Sequence, residues 1–239
     1  MAKDHFRFKQ FTVWHDRCAM KVGTDGVLLG AWAPVEGVKR VLDVGTGSGV
    51  SALQIAQRAP EAHIIAVEID PEAARQAASN VAASPWADRI QVVCVDFAHF
   101  LAEEPFDLIV SNPPYFVHSL HNPDASRTQA RHNDSLPYDI LFRHATTMLA
   151  PEGTFCLIAP TSLHLDMMGA AFDNHLGMAC INHIFTKPGI CKRAIYSFKR
   201  KLPMGMLPVH REEHITIHDE KGNFTEEYRQ LTAPFYLHF

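Results

Sequence analysis

The chain has 239 residues, of which 47% are hydrophobic and 20% are charged, and its formal net charge at pH 7 is -4. This composition excludes a disordered or collagen-like chain, and the length predicts one domain with small additions. No apolar run approaches the ~20 residues that span a bilayer, and the polar, aromatic start does not resemble a signal peptide, so we expect a cytoplasmic protein. The acidic balance argues against binding nucleic acid with the whole surface but allows a local basic patch.

The first 32 residues carry aromatic side chains at positions 6, 8, 11 and 14, followed by a glycine-rich stretch from Gly23 to Gly30. We interpret this segment as a lid or hairpin that packs on the sheet predicted after it. The expected boundaries are residues 1–37 for this N-terminal segment and residues 38–239 for the main domain, which includes a C-terminal hairpin extension.

From Arg40 onward, short apolar runs alternate with helical stretches, which predicts a parallel sheet with helices on both faces. The predicted strands are residues 40–44, 63–68, 90–95, 107–111, 154–159, 177–186, 193–199 and 214–218. The predicted helices are residues 50–58, 71–83, 137–149 and 225–231. The long polar connection at residues 116–136 is of a kind that is usually functional in a compact domain.

A glycine-rich turn, Asp-Val-Gly-Thr-Gly-Ser-Gly at residues 43–49, joins the first strand of this series to a helix. Glycines let the backbone turn sharply and approach a ligand at the carboxyl ends of the strands, where open α/β sheets bind ligands. Glu68 ends the next strand, where a carboxylate can accept hydrogen bonds from both hydroxyls of a ribose. These features predict a nucleotide or nucleoside site.

Two further aspartates follow strands of the same series. Asp70 stands directly before a proline, which fits a helix cap. Asp96, followed by Phe97, can accept a hydrogen bond from an adenine amino group while the apolar neighbour covers the ring, with a helix cap as the alternative. The pattern favours a nucleoside cofactor and leaves NAD and S-adenosylmethionine both open.

The sequence Asn-Pro-Pro-Tyr at residues 112–115 follows the fourth strand of the series, and its two prolines stiffen the backbone there. An amino group on an adenine ring is a poor nucleophile because its lone pair is delocalised into the ring. If the Asn112 side-chain oxygen and the Pro113 carbonyl each accept one hydrogen, the lone pair can face a methyl sulfonium. Tyr115 offers an aromatic face for an extruded base. The alternative is that Asn-Pro-Pro is only a loop signal.

The two motifs, residues 43–49 and Ile-Val-Ser-Asn-Pro-Pro-Tyr at residues 109–115, resemble those of the class I amino-methyltransferases. The whole chain is similar to the bacterial tRNA adenine N6-methyltransferases that modify valine tRNA next to the anticodon. This similarity extends to residues 8–11, 21–26, 131–133 and 235–237, and so covers nearly the full length. Adenine, guanine and glutamine methylases share Asn-Pro-Pro-Tyr, so the choice of substrate depends on these flanking segments.

The resemblance implies a Rossmann-like α/β domain with a seven-stranded, mostly parallel sheet whose last strand is antiparallel, S-adenosylmethionine as the cofactor, and no metal. The implied reaction is methyl transfer to the exocyclic N6 of adenine 37 in valine tRNA. The implied catalytic residues are Asn112, Pro113, Pro114 and Tyr115. The expected cofactor-binding residues are Thr24, Asp25, Asp43, Gly45, Gly47, Gly49, Glu68, Ile69, Asp96, Phe97 and Asn112, with Thr24 and Asp25 towards the methionine end.

Basic side chains in two regions can contact RNA phosphates beside an extruded base. The candidate RNA-binding residues are Arg127, Arg131, His132, Lys187, Lys192 and Arg193. The alternative is that the first region is a solvated polar loop and that further basic residues near position 200 are solvated strand ends. A tRNA partner is expected, with no obligate protein partner, and the chain is expected to be a monomer.

Metal chemistry has weak signals in the sequence. The five cysteines, at positions 18, 94, 156, 180 and 191, form no Cys-x-x-Cys pair, which favours reduced thiols. Residues 210–214, His-Arg-Glu-Glu-His, fit the spacing of an inverted zinc-peptidase motif, which needs a helix. A proline before it and alternating residues after it predict a loop entering a strand, so no metal is expected.

Several other functions remain as alternatives. An rRNA guanine N2-methyltransferase or a protein glutamine N5-methyltransferase would use the same chemistry, although a glutamine methylase is expected to carry a helical recognition domain ahead of the core. A DNA adenine methylase would usually carry a separate target-recognition domain. An NAD-dependent oxidoreductase leaves Asn-Pro-Pro-Tyr unexplained, and a catalytically silent RNA-binding protein on this fold leaves an intact site unexplained.

Overall fold

A computed structural model describes residues 4–114, 136–201 and 210–239. The strands are β1 His5–Arg7, β2 Thr12–Trp14, β3 Arg40–Val44, β4 His63–Glu68, β5 Ile90–Cys94, β6 Phe106–Ser111, β7 Leu149–Pro160, β8 Leu176–Lys187, β9 Ile190–Arg200 and β10 Arg211–Thr216. The helices are α1 Thr24–Trp32, α2 Val50–Arg58, α3 Pro71–Ala82, α4 Tyr138–Met148, α5 His164–Asp173 and α6 Glu226–Thr232. Short 3₁₀ turns follow β5 at Phe97–His99 and β7 at Thr161–Leu163.

The central sheet has the strand order β10-β8-β9-β7-β6-β3-β4-β5. Neighbouring strands from β7 to β5 in this order are parallel, β9 runs antiparallel to both of its neighbours, and β10 is parallel to β8. The ends of β3 to β8 and the start of β9 therefore share one edge of the sheet. We call this edge, marked by Val44, Glu68, Ser111 and Pro160, the carboxyl edge.

The expectation of a seven-stranded sheet was wrong, because the sheet that the structure describes has eight strands. The additional strand is β10, which pairs with β8 in register from Arg211 opposite Cys180 to Thr216 opposite Phe185. The alternating residues there predicted a strand but did not indicate which strand it would pair with. The mostly parallel arrangement with an antiparallel strand was predicted correctly, but the antiparallel strand is β9 rather than the last strand, β10.

The sheet separates two hydrophobic layers, because successive residues of its central strands point to opposite faces. Val41 and Leu108 belong to the layer under α1, α2 and α6, whereas Leu42 and Ile109 belong to the layer under α4 and α5. All four side chains are fully buried. At about 25 cal/mol per Å² of apolar surface, burial on both faces supplies the main stabilisation of this sheet.

Helix α1 occupies the glycine-rich stretch for which no helix was predicted, and α5 was likewise not predicted. Helix α1 packs closely on α2: a Cβ added to Gly30 would lie 2.6 Å from Oε1 and 2.9 Å from Cβ of Gln54. The Arg58 guanidinium donates to the carbonyls of Gly30 and Ala33 at the end of α1. Burial lowers the pKa of Arg58. Small residues thus let the helix approach its neighbour, at the cost of the usual helix propensity.

The start of the chain does contain a hairpin, formed by β1 and β2. Asn80 of α3 holds it: the side chain accepts a hydrogen bond from the Trp14 backbone N–H at 2.9 Å and donates to the Trp14 and Ser48 carbonyls at 2.8 Å each. The Lys9 ammonium donates to the carbonyls of Ala233 and Phe239. The hairpin is therefore fixed both to the glycine-rich turn and to the C-terminal segment.

Candidate active site

The glycine-rich turn leaves β3 with three glycines in the left-handed region: φ is 69° at Gly45, 55° at Gly47 and 85° at Gly49. The backbone N–H groups of Gly45 and Thr46 donate to the Val67 carbonyl, which folds the turn back over β4. A Cβ added to Gly45 or Gly47 would meet nothing within 4 Å. The glycines are therefore needed for the backbone conformation, and the face of the turn is open to a ligand.

Asp43 lies beneath this turn and is buried. It accepts a hydrogen bond from the Thr46 hydroxyl at 2.6 Å and one from the Ala52 backbone N–H. Burial raises the pKa of Asp43 to about 6, and the neighbouring Glu68 charge adds to the rise, while the two hydrogen bonds oppose it. Asp43 thus anchors the turn to the start of α2, with a carboxylate held in a low-dielectric environment.

Glu68, at the end of β4, joins two stretches of backbone. One carboxylate oxygen accepts from the Gly47 N–H at 2.8 Å and the other from the Asp70 N–H at 3.0 Å. Each oxygen can accept a further hydrogen bond, so both remain available to hydroxyl donors. Ile69 beside it is 55% exposed, which places an apolar side chain next to the acceptor pair.

The two aspartates that follow β4 and β5 both cap helices. Asp70 accepts from the Glu72 N–H at 2.9 Å at the start of α3, as predicted. Asp96 accepts from the Ala98 N–H at 2.9 Å and lies 3.2 Å from Nδ1 of His99, so the cap considered as its alternative role is present. A carboxylate has about four acceptor positions, so capping does not prevent contact with an adenine amino group.

Asn112 follows β6 at the carboxyl edge and lies next to the first turn of α1. A Cβ added to Gly26 would lie 3.7 Å from Nδ2 of Asn112 and 3.1 Å from Cγ1 of Val50. The preceding Ser111 hydroxyl donates to the Val44 carbonyl at 3.0 Å and ties the end of β6 to β3. Pro113 is buried. The first turn of α1, which itself packs on Val50 of α2, therefore borders Asn112.

Asp25, in the first turn of α1, forms an ion pair with Arg193 of β9, with Oδ2 3.1 Å from Nε. Thr24, just before it, is exposed. Asp25 was predicted to approach the cofactor and Arg193 to contact RNA, and neither pattern suggested that they bind each other. The pair joins residues 168 positions apart in the chain, which no local motif could reveal.

The segment between β2 and α1 carries a thiol that is influenced by the charge of Glu68. Burial raises the pKa of the Cys18 thiol to about 11, and the charges of Glu68, Asp70 and Asp16 raise it further. The segment is closed by a hydrogen bond from the Val22 N–H to Nδ1 of the buried His15. Sequence reasoning assigned this segment to a lid or hairpin but did not single out Cys18, because a lone cysteine carries no motif.

The predicted RNA-binding residues divide into two sets. Lys187 and Lys192 are exposed beside the β8–β9 turn at the carboxyl edge, and Arg193 lies next to them in its ion pair. The remaining predicted residues, Tyr115, Arg127, Arg131 and His132, lie outside the described residues.

The suspected zinc-peptidase motif enters strand β10 at Arg211 and is not helical. Across residues 4–114, 136–201 and 210–239, no group of three or more His, Cys, Asp or Glu side chains is placed to hold a metal ion. Within the same ranges, no helix has the length and apolar character needed to span a bilayer.

A family model described as "Methyltransferase small domain" matches residues 23–183. This range contains all of the predicted cofactor-binding residues. The chain is 50% identical over 240 residues to a protein of Bacteroides thetaiotaomicron named tRNA1(Val) (adenine(37)-N6)-methyltransferase, with 100% of this chain and 99% of the relative covered. A protein of Aeromonas hydrophila with the same name is 46% identical, with 97% of each chain covered.

Solved structures agree at the level of the fold. A predicted O-methyltransferase from Agrobacterium tumefaciens superposes with a TM-score of 0.67 at 20% identity, covering 88% of this chain and 96% of that one. An O-methyltransferase of a Brevibacillus brevis polyketide synthase, in complex with S-adenosyl-L-homocysteine, gives a TM-score of 0.52 at 16% identity, covering 73% and 71%. Because the family model matches residues 23–183, more than half of the chain, the chain belongs to the methyltransferase small domain family.

Proposed function

We propose that the chain transfers a methyl group from S-adenosylmethionine to the exocyclic N6 of an adenine in tRNA, at adenine 37 of valine tRNA. The observation that carries the proposal is the position of Asn112 at the carboxyl edge, where β6 ends beside β3 and its glycine-rich turn, and next to the first turn of α1. Relatives that are 42–50% identical and match nearly end to end bear names that state this reaction.

The residues present fit a nucleoside cofactor. The open face at Gly45 and Gly47 leaves room for a ligand against the backbone of the turn. Glu68 can accept hydrogen bonds from ribose hydroxyls. An adenine ring that covered the exposed Ile69 would remove apolar surface from contact with water, which is favourable. When bound, S-adenosylmethionine supplies an electrophilic methyl group. Thr24 and Asp25 at the start of α1, and Phe97 with Asp96, complete the proposed set.

Asn112 and Pro113 are proposed to orient the acceptor nitrogen. The Asn112 side-chain oxygen and the Pro113 carbonyl would each accept one hydrogen of the adenine amino group, which draws the lone pair out of the ring. Pro113 is buried and Pro114 follows directly, so the acceptor carbonyl lies on stiff backbone. Tyr115 is proposed to stack on the extruded base. Positioning of the nitrogen therefore carries the catalysis.

The tRNA is proposed to approach the carboxyl edge. Asn112 follows β6 there, and Lys187 and Lys192 are exposed beside the β8–β9 turn. Cations there can neutralise phosphates beside the target base, which makes binding sensitive to salt. Arg127, Arg131 and His132 remain predicted contacts. We also propose that the protein acts in the cytoplasm and is a monomer. Sedimentation of the purified chain with and without tRNA tests the monomeric state.

The test is to incubate the protein with methyl-labelled S-adenosylmethionine and total tRNA from a strain that lacks this activity, followed by nucleoside analysis. Label is expected in N6-methyladenosine of valine tRNA. Asn112→Ala is expected to abolish transfer while cofactor binding, measured by calorimetry, survives. Asn174→Ala, at the other edge of the sheet where its amide bonds the Ala170 carbonyl, is the matched control and should retain activity.

Unchanged turnover in Asn112→Ala would contradict the role given to that residue. Label in rRNA or in protein would support a guanine N2- or glutamine N5-methyltransferase instead. RNA binding with no transfer to any fraction would support a catalytically silent RNA-binding protein.

A further inference from the structure

We propose that Arg193 is a positioning residue for the methyl-transfer site and acts through Asp25 rather than through RNA. This inference rests on the proposed function and reassigns one of the predicted RNA contacts. Arg193 would hold the first turn of α1 in place, and the first turn of α1 would in turn hold the space in which Asn112 lies.

Arg193 stands at the carboxyl edge, near the reaction centre. Its backbone is paired with Pro160 of β7 on one side and Ile184 of β8 on the other. The site of Asn112 follows β6, the next strand beyond β7. The arginine is therefore fixed between two strands, on the rigid part of the hairpin rather than at its turn.

The contact with Asp25 is directional and partly shielded from water. The side chains of Arg193 and Asp25 are 34% and 29% exposed, and Nε lies 3.1 Å from Oδ2. Nη1 of the same guanidinium donates to the Lys192 carbonyl at 3.2 Å, which restricts its orientation. A charge-assisted hydrogen bond in a half-buried position is stronger than an exposed ion pair.

Asp25 transmits this restraint to the site because Gly26 follows it directly. A Cβ added to Gly26 would lie 3.7 Å from Nδ2 of Asn112 and 3.1 Å from Cγ1 of Val50, so this turn of α1 borders both residues. The Ser51 hydroxyl lies 3.4 Å from the Gly26 carbonyl, so this turn is also tied to α2. Gly23, the N-cap residue of α1, has no side chain with which to cap the helix. The ion pair thus supplies a restraint that the cap does not.

The two lysines near Arg193 serve as a contrast, because both are exposed on the same hairpin. If all three residues only contacted phosphates, their substitution should raise KM for tRNA in a salt-dependent way and in similar measure. If Arg193 positions α1, its loss should instead lower kcat, because a small displacement at a reaction centre is costly.

The experiment compares Arg193→Ala, Asp25→Asn, their double variant and Arg193→Lys with Lys192→Ala. Arg193→Ala and Asp25→Asn are each expected to lower kcat about tenfold or more with KM for tRNA changed less than about twofold. The double variant should lose little more than either single variant, because the two residues act as one unit. Arg193→Lys should recover part of kcat, whereas Lys192→Ala should mainly raise KM for tRNA.

Arg40→Ala is the control for loss of a partly buried arginine ion pair, since Arg40 is also 34% exposed and pairs with Glu104 at the opposite edge. Its kcat should match that of the original protein. Hydrogen exchange of the segment 24–32 supplies a readout that needs no substrate: it should accelerate in Arg193→Ala and not in Arg40→Ala.

A raised, salt-dependent KM with unchanged kcat in Arg193→Ala, and additive effects in the double variant, would overturn the positioning role. Unchanged hydrogen exchange in α1 would overturn it as well. The proposed function fails separately, if the unsubstituted protein transfers no label to tRNA while the exchange of α1 still responds to Arg193→Ala.

Discussion

Asn80→Ala tests whether the N-terminal hairpin contributes to the cofactor site. Asn80 is buried in α3, and its amide bonds the backbone of Trp14 twice and the Ser48 carbonyl of the glycine-rich turn once. Truncation removes the three hydrogen bonds and leaves two carbonyls and one N–H without this partner. The hairpin should loosen, and with it the segment around Cys18, whose thiol is influenced by the charge of Glu68.

The magnitude follows from the three hydrogen bonds. At a net 0.5–1.5 kcal/mol for each, their loss should lower the free energy of unfolding by about 1.5–4.5 kcal/mol. For a domain of this size, a change of 1 kcal/mol shifts Tm by about 2–4 °C, so a decrease of at least about 3 °C is expected. Asn80→Asp should be worse, since it loses both donors and buries a charge.

Thermal unfolding followed by circular dichroism measures Tm, and titration calorimetry with S-adenosylhomocysteine measures binding at the site. Ser79→Ala is the matched control, because Ser79 is the neighbouring exposed residue of α3 and its hydroxyl bonds only its own helix, at the Arg75 carbonyl. Asn80→Ala should bind the cofactor product more weakly than Ser79→Ala does. Equal Tm values and equal affinities for the two variants would refute the reasoning.

Two further predictions concern packing and charge beneath the site. Asp43→Asn should remove a pH dependence of the protein's stability. Because burial raises the pKa of Asp43 to about 6, the folded state favours the protonated carboxyl group. The contribution of this group to stability is therefore greatest at low pH and is lost as the pH rises through that value. The stability difference between Asp43→Asn and the original protein, from denaturant unfolding, should shift by about 2–3 kcal/mol in favour of Asp43→Asn between pH 4 and 7, and a constant difference would contradict the burial argument. Gly30→Ala should lower the free energy of unfolding by about 1–3 kcal/mol, because its methyl group would overlap Gln54. Gln54→Ala in the same chain should recover part of that loss, and additive losses would contradict the contact.

The parallel sheet was predictable because its central strands, such as β3 and β6, are short, largely apolar and buried on both faces. The residues of β3, β4, α2 and the cap at Asp70 were predicted within a residue, since local signals such as Pro71 and the glycine-rich turn mark their ends. Helix α1 was missed because Gly26 and Gly30 lower helix propensity. Its stability comes from close packing on α2, which is a tertiary effect.

The candidate site shows the same division. The strand ends that carry Asp43, Glu68 and Asp96 were predictable because parallel strands end at one edge. The pairing of Asp25 with Arg193, and the effect of the Glu68 charge on the pKa of Cys18, depend on how distant segments meet. The spacing of residues along the chain contains no information on either contact.

The antiparallel strand β9 also affects how this protein could be engineered. A parallel strand leads into a crossover connection, usually a helix, that must return to the opposite end of the sheet. The turn between Lys187 and Ile190 joins two strands directly at the carboxyl edge, with Gly189 at a φ of 76°. Residues inserted there would project away from the sheet, so a foreign RNA-binding peptide grafted into this turn could bring a new transcript to the same methyl donor.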